Sequence, residues 1–483
     1  MADINLGVGG ANSATGGYEI DNSVKIEPAN DEGLHFTPSS TTNTDTFTFS
    51  CWFKRTEISN QINTLFGSYT DGSNHALFRF KTDNTLELRF VTTGTGKILV
   101  SDMLFRDTSA WYHMVLAVDT ANRVKVYING EQITLTGSYP NQNQDCVGIN
   151  TASKAMNVGY LSNFSNVEFA GYMAEAHHID GSQLAPTAFG EVDEDSGIWK
   201  PKAYTGSYGT NGFYLDFSDS ANLGDDASGN GNNFTETNIT SADQAVDSPT
   251  NNFAILSQSM QGYYEDLWSV ISDGGTKFRC TEFDAWITTV SSIGVTKGKW
   301  YAEFQPTGAR PNNMYGIASM EQLDNNSGYI YGGHLGEANE SWGIGYYQTN
   351  GRLYKVQNSG SSNILNFGSS ISQNQKVGVA IDMDNHNLYI AINNTWQNSG
   401  DPTSGATGTG AISFDATETV AFGLSGYSLG SGNDTIVSVN FGGYRTDGLP
   451  SINSTDANGY GVFRYAPPSG YYALCSKNLA EYG

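Results

Sequence analysis

The chain has 483 residues, enough for about three domains at roughly 150 residues each. Charged residues are only 15% and Gly numbers 56, which argues against a helical bundle, while 38% hydrophobic and 12% aromatic content argues against disorder. A formal net charge of −25 with no basic stripe argues against nucleic-acid binding, because that field repels phosphates.

The opening MADINLGVGGANSATGG has neither a basic n-region nor an apolar h-region, so no Sec signal is expected and synthesis in a cytoplasm is. Residues 1–17 are rich in Gly, Ala and Asn and cannot bury a core alone. An arm over residues 1–30 is expected, either flexible or laid along a partner. No run approaches about 18 apolar residues, so no membrane insertion is expected. Cys51, Cys146, Cys280 and Cys475 are far apart and form no CxxC, which reads as isolated buried thiols.

Alternation with period two then predicts strands along most of the chain. The first set is TFTFSCWFK at 46–54, LFRFK at 77–81, TLELRFV at 85–91, WYHMVLAV at 111–118, VKVYI at 124–128 and QITL at 132–135. Asn129–Gly130 between the last two is a strong hairpin signal, since both turn residues need positive φ. NVGYL at 157–161 and AGYMAEAHHI at 170–179 complete a first domain over 31–184. Residues 185–250 are turn-rich, with short strands predicted at 213–217 and 234–239, and read as a connector packing on that domain. One amphipathic helix is expected over about 259–271. The strand pattern resumes at 299–306, 314–319, 341–347, 352–356, 376–383, 388–392, 420–426 and 436–442, giving a second domain over 251–450. Residues 451–483 read as an irregular tail. LAVDTANRVKVYING at 116–130 and VAIDMDNHNLYIAINN at 379–394 share a strand–turn–strand pattern, which suggests two domains of one class.

WYHMVLAVDTANRVKVYINGEQI resembles the core of laminin-G/concanavalin A-like jelly rolls. GKWYAEF at 298–304, GVAIDMDNHNLYIAINNTW at 378–396 and VSVNFGG at 437–443 resemble a SPRY domain. The connector, GYMAEAHHIDGSQLAPTAFGEVDEDSGIWKPKAYTGSYGTNGFYLDF and its continuation to 239, is similar to a segment of phage virion proteins, of marine phages in particular. There it joins a laminin-G-like to a SPRY-like domain. PPSGYYALCSKNL at 467–479 belongs to the same pattern. The resemblance implies an all-β chain with two antiparallel β-sandwich (jelly-roll, concanavalin A-like) domains in tandem. It also implies a place on the virion surface, other virion proteins as partners, and homo-oligomers.

Glucanases of the concanavalin A-like fold carry Glu-x-Asp-x-x-Glu on one strand, where alternation brings the carboxylates to one face. The nearest run here is Glu191–Asp195, and Ser196 stands at the third acidic position, so an exposed acidic loop is the better reading. His177 and His178 are adjacent, and on a strand their rings face opposite sides, so they cannot share a metal. No HExxH is present, and no enzyme is expected. Aromatic loops suit sugars better: rings stack on C–H faces while amides and carboxylates bind hydroxyls. The candidates are Tyr329, Tyr331, Trp342, Asn393, Trp396 and Asp401, with both tryptophans at strand edges where a core position fits equally. No cofactor is expected beyond calcium, for which Asp71, Asp119 and Asp145 are candidates, each also placed to cap a turn. The functional expectation is a non-enzymatic virion surface protein: a tail fibre or tail-associated adhesin for host surface glycans. A capsid decoration or head-fibre protein is the alternative, and a polysaccharide depolymerase ranks third.

Overall fold

The computed structural model describes residues 17–483 except 59–60, 163, 166, 258–268, 282, 321–332, 338–341, 358–362, 416–418, 430–433 and 444–453. The chain divides into two compact units, with the boundary between Asn252 and Phe253. Both are sandwiches of antiparallel sheets, so the fold class is all-β. No described helix is long and apolar enough to cross a membrane.

In the first unit one sheet runs in the order Glu131–Gln132, Lys125–Ile128, Tyr112–Asp119, Thr46–Arg55, Gly171–Asp180, Ser23–Ile26, Gln244–Ala245. Phe213–Leu215 adds beside Gly171–Asp180. The facing sheet runs Leu135–Gly137, Thr95–Leu104, Thr85–Thr92, Asn74–Phe80, Asn63–Asp71, Met156–Val158, Gly33–Phe36, Thr235–Thr237. Phe47, Phe49, Cys51 and Phe53 point into the space between, against Phe66, Phe78, Phe80 and Leu88. That is the alternation expected of a sheet with one buried face. Asn129 and Gly130 have φ of 49° and 85° and join two paired strands, as the Asn-Gly signal predicts. The predicted strand 132–135 is instead two pieces. Gln132 pairs with Tyr127 in one sheet, and Leu135–Gly137 crosses to the other.

Residues 185–250 do more than connect. Phe213–Leu215, Thr235–Thr237 and Gln244–Ala245 are strands of the two sheets, and Gly190–Val192 with Trp199–Pro201 forms a separate hairpin. Ser23–Ile26, within the expected arm, pairs with both Gly171–Asp180 and Gln244–Ala245. Residues 1–16 of that arm lie outside the described residues.

In the second unit one sheet runs Ser269–Ser272, Lys277–Cys280, Thr435–Asn440, Lys299–Pro306, Val377–Asp382, Asn387–Ile392, Thr395–Trp396. The other runs Phe283–Val290, Val420–Leu429, Asn313–Ser319, Gly343–Tyr347, Arg352–Val356, Asn363–Asn366. Trp300, Phe304, Tyr315, Ile344, Tyr346, Ile390 and Phe422 fill the space between. Of the expected helix over 259–271, residues 259–268 lie outside the described residues. Ser269–Ser272 is a strand that forms a hairpin with Lys277–Cys280. The tail also carries order: Tyr472–Ala473 joins the strand Lys299–Pro306 in parallel, and Ser476–Tyr482 is an α-helix.

Candidate ligand-binding face

The site follows from strand parity in the six-stranded sheet of the second unit. Tyr315, Ile317, Ile344, Tyr346, Leu353, Phe422 and Leu424 point inward. Their alternates point outward, and among these are Trp286, Tyr347, Tyr354 and Tyr427, all half-buried. Trp286 and Tyr427 are direct cross-strand partners, with ring centroids 5.4 Å apart. Trp286 is 5.9 Å from Tyr347, and Tyr347 is 6.2 Å from Tyr354. His334 stands between them, 5.0 Å from Trp286 and 5.2 Å from Tyr354, both edge-on. Tyr347 donates its hydroxyl to Asn312 Oδ1 at 3.2 Å.

Glycines explain how His334 reaches this place. Gly316, Gly345 and Gly423 leave a trench across the outer face, and Leu335 lies in it, fully buried. A Cβ on Gly345 would come within 2.6 Å of Leu335 Cβ, and one on Gly423 within 2.8 Å of Leu335 Cδ2. The segment is also pinned by polar groups. Leu335 N donates to Ser425 Oγ at 3.0 Å, and Thr288 Oγ1 donates to Gly333 O at 3.0 Å. His334 N donates to Glu337 Oε2 at 2.9 Å. The result is a platform of four aromatic rings and one imidazole on a hydrogen-bonded sheet, with a carboxylate and a carboxamide beside it. Such a surface can stack on the apolar face of a planar or saccharide ligand and bond its hydroxyls.

The sequence candidates do not gather into one place. Tyr329 and Tyr331 lie outside the described residues. Trp342 is a correction: it is only 2% exposed and packs edge-on at 5.8 Å against Phe414 in the core. It shares parity with Ile344 and Tyr346, so the sheet turns it inward. Trp396, Asn393 and Asp401 lie on or beside the end strands of the opposite sheet. Trp396 is half-buried and edge-on to Tyr389 at 6.3 Å. Asn393, with φ 45°, closes a turn by accepting Lys376 N at 2.9 Å. Asp401 caps a short helix, and its bonds from Thr403 Oγ1 and N hold its carboxyl below the usual range. The rings missed in the sequence are Trp286, His334, Tyr347, Tyr354 and Tyr427.

The calcium candidates each cap local polar groups. Asp71 accepts from Ser73 N and Asn74 Nδ2, Asp119 from Ala121 N and Asn122 Nδ2, and Asp145 from Thr44 Oγ1. Among the described residues, no group of three or more His, Cys, Asp or Glu could hold a metal. In the acidic run, Asp193 accepts from Ser196 N and Oγ and from Lys200 Nζ, which makes it the turn of the 190–201 hairpin.

The first unit has a second aromatic face, on the outside of the sheet that holds Thr46–Arg55, where Trp52 and His113 are buried and Trp111, Trp199 and Tyr214 half-buried. Trp52 stacks on His113 at 4.7 Å and His113 on Trp199 at 5.9 Å. Trp199 Nε1 donates to His113 Nδ1 at 2.9 Å, so Nε2 carries the proton that reaches Ser50 Oγ at 2.9 Å. Burial holds His113 down to about 3. His177 and His178 do face opposite sides of their strand. His177 stacks on Tyr214 at 4.3 Å on the outer face, and His178 bonds Asn150 Oδ1 at 2.9 Å in the core. Between them and Ala174 the strand bulges at Glu175, whose φ is 50°. Its carboxylate accepts the hydroxyls of Tyr18 at 3.0 Å and Tyr214 at 2.5 Å.

Residues 28–181 match the family model of the concanavalin A-like lectin/glucanases superfamily. No curated protein matches the chain. Among solved structures, the SPRY domain of human HERC1 is 12% identical, with a TM-score of 0.25, covering 35% of this chain and 91% of that one. A native heptameric SAP-like pentraxin from Limulus polyphemus is 16% identical, with a TM-score of 0.28, covering 34% and 78%. A candidate carbohydrate-binding protein from Bacteroides ovatus is 16% identical, with a TM-score of 0.33, covering 46% of this chain and 59% of that protein.

Proposed function

We propose that this chain is a non-catalytic glycan-binding protein, and that it serves as an attachment protein on the surface of a phage virion. The observation that carries the binding reading is the half-buried platform of Trp286, His334, Tyr347, Tyr354 and Tyr427 on one sheet face. The lectin superfamily match covers residues 28–181, in the first unit and apart from the platform, and supports glycan binding by the chain at the level of fold alone. Glycoside hydrolysis takes a carboxylate pair about 5–9.5 Å apart. Glu337, the carboxylate described beside these rings, already accepts the His334 N–H, which favours binding over cleavage. The virion assignment rests on the resemblance of the 171–239 segment, and homo-oligomers go with that assignment.

The test is binding of the full chain to an array of bacterial surface glycans, with Trp286→Ala alongside. Saturable binding that falls at least tenfold in the variant, with no sugar released, supports the reading. No binding, or binding indifferent to Trp286, overturns the platform. Gold-labelled antibody on intact virions tests the location. Label on the tail supports attachment, label over the head turns the reading to capsid decoration, and no label sinks both.

A further inference from the structure

We infer that the first unit is closed by an isopeptide bond between Lys54 and Asn252, formed by the chain itself with Asp247 as the proton carrier. Lys54 stands on the outer face of the central strand Thr46–Arg55 and is fully buried. Its Nζ lies 2.8 Å from Asp247 Oδ2 and 2.7 Å from Asn252 Oδ1. Asp247 and Asn252 are 1% and 6% exposed. A carbonyl bond is about 1.23 Å long, so the Asn252 amide carbon lies within about 3.9 Å of the amine. That approaches the roughly 3–3.5 Å of a near-attack pair.

The surroundings hold this geometry. Trp111 Nε1 donates to Asp247 Oδ1 at 3.0 Å and fixes the carboxylate. Asn252 Nδ2 donates to Ser109 O at 2.8 Å, which turns the carboxamide carbonyl toward Lys54. The ring of Tyr172, the cross-strand partner of Lys54, lies 6.0 Å from Nζ. Attack takes the amine without its third proton, and Asp247 Oδ2, 2.8 Å away, is the group placed to accept that proton and to return it to the leaving nitrogen.

The reaction balances without any co-reactant. Lys54 Nζ attacks Asn252 Cγ and the Nζ–Cγ bond forms. Asp247 gives its proton to Nδ2, the Cγ–Nδ2 bond breaks, and ammonia leaves. Nζ passes its surplus proton to Asp247, which hands it to the departing ammonia. The net change converts an ammonium side chain and a carboxamide into a secondary amide and an ammonium ion, with Asp247 restored as a carboxylate.

The position gives the bond a purpose. Asn252 is the last residue of the unit, 198 positions beyond Lys54. The segment before it is held to the sheet edge through Ser23–Ala245 and Val24–Gln244. A covalent link would carry any pull on the chain at residue 252 past that edge directly into the central strand.

The test is the mass of the denatured full-length chain. The expected result is a loss of one ammonia relative to the sequence, with a branched tryptic peptide joining Lys54 to Asn252. A protease nick between the two residues should leave a single band on a denaturing gel. Asn252→Ala keeps the Lys54–Asp247 pair and should restore the mass expected from its own sequence. Asp247→Asn should slow bond formation at least tenfold. A folded wild-type chain at full sequence mass after days at neutral pH overturns the inference. So does the loss of ammonia without the branched peptide, which would mark ring closure of an asparagine instead.

Discussion

Two outer faces, one in each unit, carry clustered aromatic rings, and they are built to opposite ends. On the first unit the segment from 184 to 210 folds over the sheet, and polar groups are paired inward: Trp199 with His113, Trp111 with Asp247, Tyr214 with Glu175. On the second unit the strap from Gly333 to Glu337 lies over a glycine trench, and Trp286, Tyr347, Tyr354 and Tyr427 are half-buried around it, as Trp111, Trp199 and Tyr214 are on the first. Aromatic content therefore does not locate a binding surface. What separates the two faces is whether the chain supplies its own cover and its own hydrogen-bond partners.

The largest expected difference comes from removing one tryptophan on each side. Trp199 fits between Gly130 and Gly190, where an added Cβ at either glycine would come within 2.5 Å of the indole. Trp199→Ala opens that space and strips His113 Nδ1 of its donor, so it should cost about 3–4 kcal/mol by urea unfolding and leave glycan binding unchanged. Trp286→Ala should do the reverse, lowering glycan binding at least tenfold with a stability change of about 1 kcal/mol or less. Equal stability losses for the two would erase the distinction between a sealed and an open face.

The sandwich was legible in the sequence because its long strands alternate cleanly, as in Thr46–Arg55, and because Asn129–Gly130 marks a turn by its own backbone demands. The connector was not legible as part of the sheets. Strands were readable at 213–217 and 234–239, and Phe213–Leu215 and Thr235–Thr237 lie there; their place in the sheets and the two-residue Gln244–Ala245 were not readable, because the partners lie far off in the sequence. The platform was missed for a related reason. Trp286 and Tyr427 are partners across strands, separated by most of the second unit. Trp342 was misplaced because its parity with Ile344 and Tyr346 was readable but outweighed by its position at a strand edge. Tyr347 and the glycines at 316, 345 and 423 held the complementary signal: small residues outward where something must lie, a large ring outward where nothing covers it.

Burial on the closed side should also show in pH dependence, with two opposite signs. Glu32 bonds Glu27 N at 2.7 Å and Asn30 Nδ2 at 2.8 Å, and burial pushes its carboxyl up to about 7. Its stabilising protonated form is fully present below the ordinary value of 4.5 and is lost as pH rises through 7. Glu32→Gln mimics that form at every pH. The variant should gain about 3 kcal/mol over wild type at pH 8 and nothing below pH 4.5. His113 works the other way. Its neutral form stabilises the unit above the ordinary 6.5, and that contribution fades as pH falls toward about 3. At pH 5 the loss should be about 2 kcal/mol. In nuclear magnetic resonance the His113 ring signals should stay those of the neutral form at that pH. A ring that charges at pH 6 would mean that water reaches the supposed seal.

The smallest change tests the strap itself. Leu335 is the one side chain of the strap seated in the glycine trench, and it places His334 between Trp286 and Tyr354. Leu335→Ala removes that anchor and leaves Thr288 and Ser425 holding the backbone. The expected cost is about 2 kcal/mol, at the low end for a buried leucine because the site lies under a short segment. Glycan binding should weaken severalfold, by loosening His334 and not by removing a stacking ring. Binding unchanged in Leu335→Ala but lost in Trp286→Ala would narrow the site to the four rings of the sheet. Binding lost equally in both would make the strap part of the recognition surface, because the ring positions alone would then be insufficient to hold a sugar.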